Sequence, residues 1–185
     1  MGSLDLNLDH LRRTEKQKAF GYDFLCDVDR LEYWDGITVG EEYESARTYE
    51  VTKEDLVAFA DGVLDPSPLL RDDEAAAASP YGEVLPHPIF LMTIAFWCID
   101  RGRGSWIRTP GSMNPGQRIV WYEPIRVGDV IRMTQKPADK WIRRGRHYFT
   151  SELNFFDQRG VKKATWWATL ILPKTKEDVL KIARA

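Results

Sequence analysis

The chain has 185 residues, of which 43% are hydrophobic and 29% are charged, and its formal net charge is −2. This length fits one domain of ordinary size with a short extension, and the apolar fraction is sufficient for a buried core. The small net charge argues against a protein that binds nucleic acid or a membrane surface.

Targeting segments and cysteine usage indicate a cytoplasmic protein. The first twenty residues are polar and do not resemble a signal peptide, and the longest apolar run, residues 89–99, is far shorter than a membrane span. Cys26 and Cys98 lie in unrelated contexts and do not suggest a disulfide framework. The histidines and cysteines show no metal-ligand spacing, so we expect no metal site.

Three regions follow from a first pass along the chain. Residues 1–33 form a polar leader that runs into alternating acidic and aromatic residues, and we interpret them as an N-terminal arm packed on the body of the protein. An arm that docks a partner is the alternative. Residues 34–173 form the main domain, and residues 174–185 form a basic helical tail.

The first elements of the main domain are predicted from short local signals. Residues 45–51 alternate enough for an edge strand. Thr52 and Asp55 then form a capping box that begins a helix, and this helix must end before Pro66 because a residue that precedes proline avoids helical angles. Residues 72–78 are rich in alanine and predict a short second helix.

The central helix is the clearest prediction. Residues 89–99 are apolar nearly all round, which in a soluble chain indicates a helix buried on most sides. The run follows Pro86-His87-Pro88, and proline is tolerated at the first helical position because its missing N–H would be unpaired there.

The sequence after this helix, up to Pro173, predicts strands joined by tight turns. Hairpin turns are predicted at residues 143–145 and 157–160, and Pro173 ends the last strand. The predicted strands are residues 116–122, 130–134, 140–142, 146–156 and 164–172. An antiparallel sheet that curls around one apolar helix is an α+β hot-dog fold.

Residues 34–172 resemble the MaoC-like (R)-specific enoyl-CoA hydratases. That family places an Asp-x-Asn-Pro-x-His run before an Ala-His-Gly, and this chain has Asp65-Pro-Ser-Pro-Leu-Leu70 before Pro86-His87-Pro88. Asp65 therefore keeps the Asp position, Ser67 replaces Asn, Leu70 replaces the catalytic His and Pro88 replaces Gly. The turn at residues 122–129 is similar to the family's Phe-x-x-Pro-Val-x-x-Gly-Asp.

The resemblance implies hydration of an enoyl thioester, for which two working groups are replaced here. In the family an Asp and a His activate water, and the N–H of the Gly holds the thioester oxygen. Leu70 cannot transfer a proton, and Pro88 has no amide hydrogen. The pattern is similar to the non-catalytic half that pairs with a catalytic half in two-domain and heterodimeric hydratases.

We therefore expect a subunit that binds an enoyl or 3-hydroxyacyl thioester, with coenzyme A as part of the substrate and no other cofactor. It would form a homodimer, or a heteromer with a second hot-dog subunit that supplies the Asp/His pair. The substrate-binding residues would be Ser67, Leu70, Pro88, Ile89 and Phe90. Arg143, Arg144 and Arg146 would bind the phosphates of coenzyme A, although a solvated turn explains the same cluster.

Two alternatives stay open. The chain alone could be a hydratase, a dehydratase or a thioesterase in which Asp65 and His87 are catalytic. Against this, Asp65 suits a plain turn, and His87 suits the start of a helix, bonded to a loop carbonyl. The other alternative is a binding module without chemistry.

Overall fold

A computed structural model describes residues 12–20, 27–99 and 102–184. Its strands form one antiparallel sheet in the order β1-β4-β5-β6-β3, and β2 also pairs with β4. The strands are β1 (Tyr43–Glu44), β2 (Tyr49–Glu50), β3 (Met113–Trp121), β4 (Val130–Arg143), β5 (Arg146–Phe156) and β6 (Lys162–Leu172).

Five α-helices accompany the sheet in the described ranges. They are α1 (Glu15–Ala19), α2 (Lys53–Gly62), α3 (Asp73–Ala77), α4 (Phe90–Cys98) and α5 (Lys176–Ala183). The predicted capping residue of α2 is confirmed, since the Thr52 hydroxyl accepts the amide of Asp55 at 3.2 Å. In the described ranges no helix combines the length and the apolar character needed to cross a bilayer.

The core lies between α4 and the inner face of the sheet. Leu91, Ile94, Ala95 and Cys98 of α4 are all completely buried. Strand β4 alternates between buried and partly exposed residues over its first eight positions, which places every second side chain against the helix. A fully buried Leu or Ile contributes about 1.5–3 kcal/mol to folding. The predicted α+β arrangement of a sheet around an apolar helix is confirmed.

Three details differ from the sequence-based expectations. Residues 130–134 and 140–142 belong to one strand, β4, because Pro137 sits beside an irregularity in the pairing with β5, where its missing N–H breaks no regular ladder. The expected edge strand at 45–51 is reduced to Tyr49–Glu50. Pro88 lies in the turn before α4, and the helix begins at Phe90.

The described part of the N-terminal arm, α1, contacts the main domain. Lys16 of α1 forms an ion pair of 2.6 Å with Asp55, whose side chain is only 4% exposed, and the Lys16 ammonium lies 4.9 Å from the Tyr49 ring centre. Burial opposes the ionisation of Asp55, but hydrogen bonds from Lys16 and two threonines outweigh it and hold the pKa of Asp55 below its usual value. Residues 1–11 and 21–26, including Cys26, lie outside the described ranges.

A buried charge cluster holds the turn before β4. The Lys163 ammonium lies 3.0 Å from a carboxylate oxygen of Asp129 and 3.4 Å from one of Asp157, and its side chain is only 3% exposed. It also donates to the Pro124 carbonyl at 3.0 Å. The turn at residues 122–129 is thereby fixed to the β5–β6 hairpin.

Candidate active site

Five of the predicted site residues meet in one groove of about 310 Å³: Asp65, Ser67, Leu70, His87 and Pro88. The loop that follows α2 supplies the first three, and the turn that precedes α4 supplies the other two. The remaining lining residues are Leu69, Ser79, Tyr81, Glu83, Leu85 and Pro86.

Asp65 is held firmly by the chain around it. Its N–H donates to the Ala60 carbonyl at 2.9 Å, and its carboxylate accepts the Ser67 amide at 2.9 Å, which is the local turn bond expected for an Asp in this sequence. Arg71 donates both to the Asp65 carbonyl and to the Asp61 carboxylate. One carboxylate oxygen of Asp65 is therefore used by its own turn, and the other faces His87.

His87 faces Asp65 across the groove. Its Nε2 atom lies 3.6 Å from a carboxylate oxygen of Asp65, close enough for electrostatic attraction but longer than a hydrogen bond. Its Nδ1 atom accepts the amide hydrogen of Ile89 at 3.1 Å. In the neutral ring the proton therefore sits on Nε2 and points towards Asp65, and the lone pair on Nδ1 is already used.

The start of α4 offers no amide to a substrate oxygen. Pro88 has no N–H, the N–H of Ile89 is bound by the His87 ring, and the N–H of Phe90 donates to the His87 carbonyl at 2.8 Å. An oxygen that gains negative charge in this groove would find no backbone donor among residues 88–90. Leu70 offers only an alkyl side chain at the position where the resemblance places a histidine.

The groove continues into a second cavity of about 300 Å³. The two cavities share Tyr81, Leu85, Pro86 and Pro88, and the second extends to Trp121 and Tyr122 at the end of β3. The sequence did not single out these aromatic residues for the site, because residues on separate loops leave no periodic pattern.

The model of the FAS1-like dehydratase domain region matches residues 37–175. The chain belongs to this family. It is 29% identical over 147 residues to a UPF0336 protein of Saccharopolyspora erythraea, covering 76% of this chain and 92% of that protein. The fold resembles the MaoC-like dehydratase of Rhodospirillum rubrum, with a TM-score of 0.67, 22% identity, and coverage of 78% and 98%.

A two-chain enzyme also has this fold. A chain of the HadBC 3R-hydroxyacyl-ACP dehydratase complex of Mycobacterium tuberculosis aligns with a TM-score of 0.63 and 19% identity, covering 74% of this chain and 98% of that chain. The predicted MaoC-like hot-dog fold is confirmed by these likenesses, and the FAS1-like dehydratase match places the groove inside the region shared with the family.

Two predicted substrate-binding residues of this FAS1-like dehydratase region do not line the groove. The Ile89 side chain is 55% exposed. Phe90 is buried and turned towards the other side of the helix, where its ring centre lies 5.7 Å from that of Tyr49 and 5.3 Å from that of Phe59. In the described ranges no three His, Cys, Asp or Glu side chains come together to hold a metal ion.

Arg143, Arg144 and Arg146 lie at the exposed β4–β5 turn, at the other end of the strands from the groove. Trp121, in the cavity that adjoins the groove, pairs with Ala164 of β6. Ala164 lies opposite Phe155, the partner of Met133, so the groove is near the Ile131–Met133 end of β4. At about 3.3 Å per residue, the stretch of β4 from Ile131 to Arg143 spans roughly 40 Å. The binding of coenzyme A by Arg143, Arg144 and Arg146 stays a prediction. Because these arginines are far from the groove of their own chain, the prediction concerns a thioester bound in the groove of a second chain.

Proposed function

We propose that this chain is the thioester-binding subunit of a heteromeric (R)-specific enoyl-CoA hydratase or dehydratase, in which a second hot-dog subunit supplies the Asp/His pair. The observation that carries the proposal is the start of α4, where residues 88–90 offer no free amide. Loss of such a donor typically costs about 10²- to 10³-fold in rate. Loss of a proton-transfer group, as at Leu70, costs about 10²- to 10⁴-fold.

The groove supports binding more than chemistry. Leu69, Leu70, Leu85 and Pro86 give it apolar walls, while Ser67 and Tyr81 supply polar atoms. Binding sites for small molecules are typically apolar, with a few polar groups that fix orientation. The extension towards Trp121 gives an elongated acyl thioester room along the surface.

Strand β3 provides a place for the second subunit. It lies at one end of the sheet order and pairs with β6 along one side. Its Met113 and Trp121 side chains are 49% and 38% exposed. An exposed strand edge is a template for pairing with another chain, and the two-chain HadBC complex is compatible with such an arrangement. Without a partner the same edge supports a homodimer of this cytoplasmic chain.

Antiparallel pairing through β3 also gives the arginine cluster a role. A two-fold axis across β3 would reverse the second sheet, so the β4–β5 turn of this chain would lie at the groove end of its partner. Arg143, Arg144 and Arg146 would then approach a phosphate-bearing thioester bound in the partner's groove, and guanidinium groups bind phosphate strongly.

The decisive experiment mixes this chain with a hot-dog protein that is encoded nearby and carries an intact Asp/His pair. We expect hydration of crotonyl thioesters, carried by coenzyme A or by acyl carrier protein, only in the mixture. Asp65→Asn in this chain should change the rate of the mixture by less than about two-fold, whereas loss of a working base costs at least about 10²-fold. Robust hydration by the purified chain alone would overturn the proposal.

A second candidate, a self-sufficient hydratase or thioesterase, is favoured by the 3.6 Å approach of His87 to Asp65. It predicts turnover or release of free coenzyme A by the chain alone, and a fall of about 10²- to 10⁴-fold in both Asp65→Asn and His87→Gln. If acyl-CoA raises the melting temperature and no mixture shows turnover, the chain is a binding module instead.

A further inference from the structure

A separate aromatic chamber lies between α4, α2, β2 and the N-terminal arm. Its volume is about 320 Å³. Six aromatic side chains supply most of its wall: Phe20, Tyr49, Phe59, Phe90, Phe96 and Trp97. The charged groups at its edge, Lys16 and Asp55, are paired with each other at 2.6 Å. Such a lining favours an apolar occupant.

The Phe59 ring lies between residues of this chamber and residues of the candidate active site. The Phe59 ring centre lies 5.7 Å from that of His87, which lines the groove, and 5.3 Å from that of Phe90, which lines the chamber. Phe59 is itself only partly buried. Phe59 is therefore the side chain through which the two cavities adjoin, and its rotation would widen the contact between them.

The arm covers one side of the chamber and is held there by polar contacts. Besides the Lys16–Asp55 pair, Arg13 binds the Asp61 carboxylate at 2.7 Å, and the other oxygen of Asp61 accepts a bond of 2.7 Å from Arg71. The family match begins at residue 37, so α1 is an addition to the shared region. One wall of the chamber is therefore formed by a segment that the family match does not include.

We propose that this arm-covered chamber receives the apolar tail of the acyl group whose thioester lies in the groove, and that Phe59 and Phe90 determine which chain lengths enter. The inference rests on the proposed function, because it assumes that the groove binds a thioester. At about 320 Å³ the chamber is as large as the groove. It therefore has room for several carbons of an alkyl tail, and the substrate class is a medium-chain acyl thioester.

Binding of two saturated thioesters tests the inference without any need for turnover. Titration calorimetry compares butyryl-CoA, whose short tail is expected to stay in the groove, with decanoyl-CoA. Each buried methylene strengthens binding by about four-fold, so decanoyl-CoA should bind at least about 100-fold more tightly. Thr93 of α4 also lines the chamber. Thr93→Phe would fill this space and should weaken decanoyl-CoA binding by at least about 10-fold while leaving butyryl-CoA within about two-fold.

Two further variants serve as controls. Thr93→Val keeps the side-chain volume and should change neither affinity. Phe59→Ala removes the ring at which the two cavities adjoin and should keep or strengthen decanoyl-CoA binding. If both thioesters bind equally and Thr93→Phe changes neither, the chamber inference is wrong while the proposed function stands. If neither thioester binds to the chain, alone or with its hot-dog partner, the proposed function fails. If Thr93→Phe instead changes the oligomeric mass, this face is a subunit contact and the inference is overturned.

Discussion

Glu32 offers a sharp test of the electrostatics of this fold. One of its carboxylate oxygens is completely buried and has no hydrogen-bond partner. Burial raises the pKa of Glu32 to about 7, although a bond from the Gly104 backbone and the nearby Arg103 act in the opposite direction. Two hydrogen bonds keep the backbone of residue 32 from moving the carboxylate towards solvent. The Ser105 hydroxyl accepts its amide hydrogen at 3.0 Å, and the Thr109 hydroxyl donates to its carbonyl at 2.6 Å.

Glu32→Gln should therefore stabilise the protein at alkaline pH. The carboxyl group binds its proton more tightly in the folded chain, with a pKa of about 7, than at the ordinary value of 4.5. The stability of the wild type thus falls as pH rises from about 4.5 to 7 and is then level. At about 1.4 kcal/mol per pKa unit the full penalty is about 3 kcal/mol. The uncharged amide avoids it, so the gain should reach about 3 kcal/mol at pH 8 and stay below about 1 kcal/mol at pH 5.

Urea titration and calorimetry at these two pH values measure the effect. For a chain of this size, about 3 kcal/mol corresponds to about 6–12 °C in melting temperature. Glu54→Gln, at an exposed position of α2, is the matched control and should change stability by less than about 0.5 kcal/mol at either pH. A Glu32→Gln gain that is the same at both pH values, or a loss at pH 8, would refute the reasoning.

Three more substitutions have defined outcomes in urea titrations. Leu64 is 87% exposed and has a φ of 57°, so Leu64→Gly should stabilise by about 1 kcal/mol; a loss would mean that its side chain makes a necessary contact. Lys16→Met leaves the Asp55 carboxylate without its cation and should lower the free energy of unfolding by about 2 kcal/mol. This cost is smaller than for a fully buried pair because Lys16 is partly exposed. An unchanged urea midpoint would contradict the prediction. Leu91→Ala, in the completely buried face of α4, should cost about 2–5 kcal/mol, and a cost below about 1 kcal/mol would show that α4 is not the centre of the core.

Local signals in the sequence predicted the elements whose cause is itself local. The apolar run at 89–99, the Thr52 cap and the turn at 143–145 each contain the residues that form them. Arg144 and Gly145 both adopt positive φ, as a tight hairpin requires. Strand β4 was split wrongly because Pro137 usually ends a strand, and only its position beside an irregularity in the ladder makes it acceptable there.

The candidate site was predicted only in part, because its geometry depends on contacts between distant segments. The motif spacing brought Asp65, Leu70 and Pro88 to one place, as observed. Nothing in the sequence indicated that the His87 ring would use one nitrogen to bind the Ile89 amide. The aromatic chamber was equally hidden, since α1 lies in a polar leader whose residues show no regular apolar period.

The buried Lys163 has a consequence for how the sheet assembles. It is fixed on β6 among carboxylates that belong to the turn before β4 and to the β5–β6 hairpin. Sliding β6 by one position against its neighbours would carry the ammonium to the opposite face. The buried Asp129 carboxylate would then lose its cation, whereas Asp157 would keep its ion pair with Arg159. Interior anions without a cation are far costlier than a misplaced alkyl group. The ion cluster around Lys163 therefore fixes the register of β6 and disfavours mispaired sheets that apolar packing alone would tolerate.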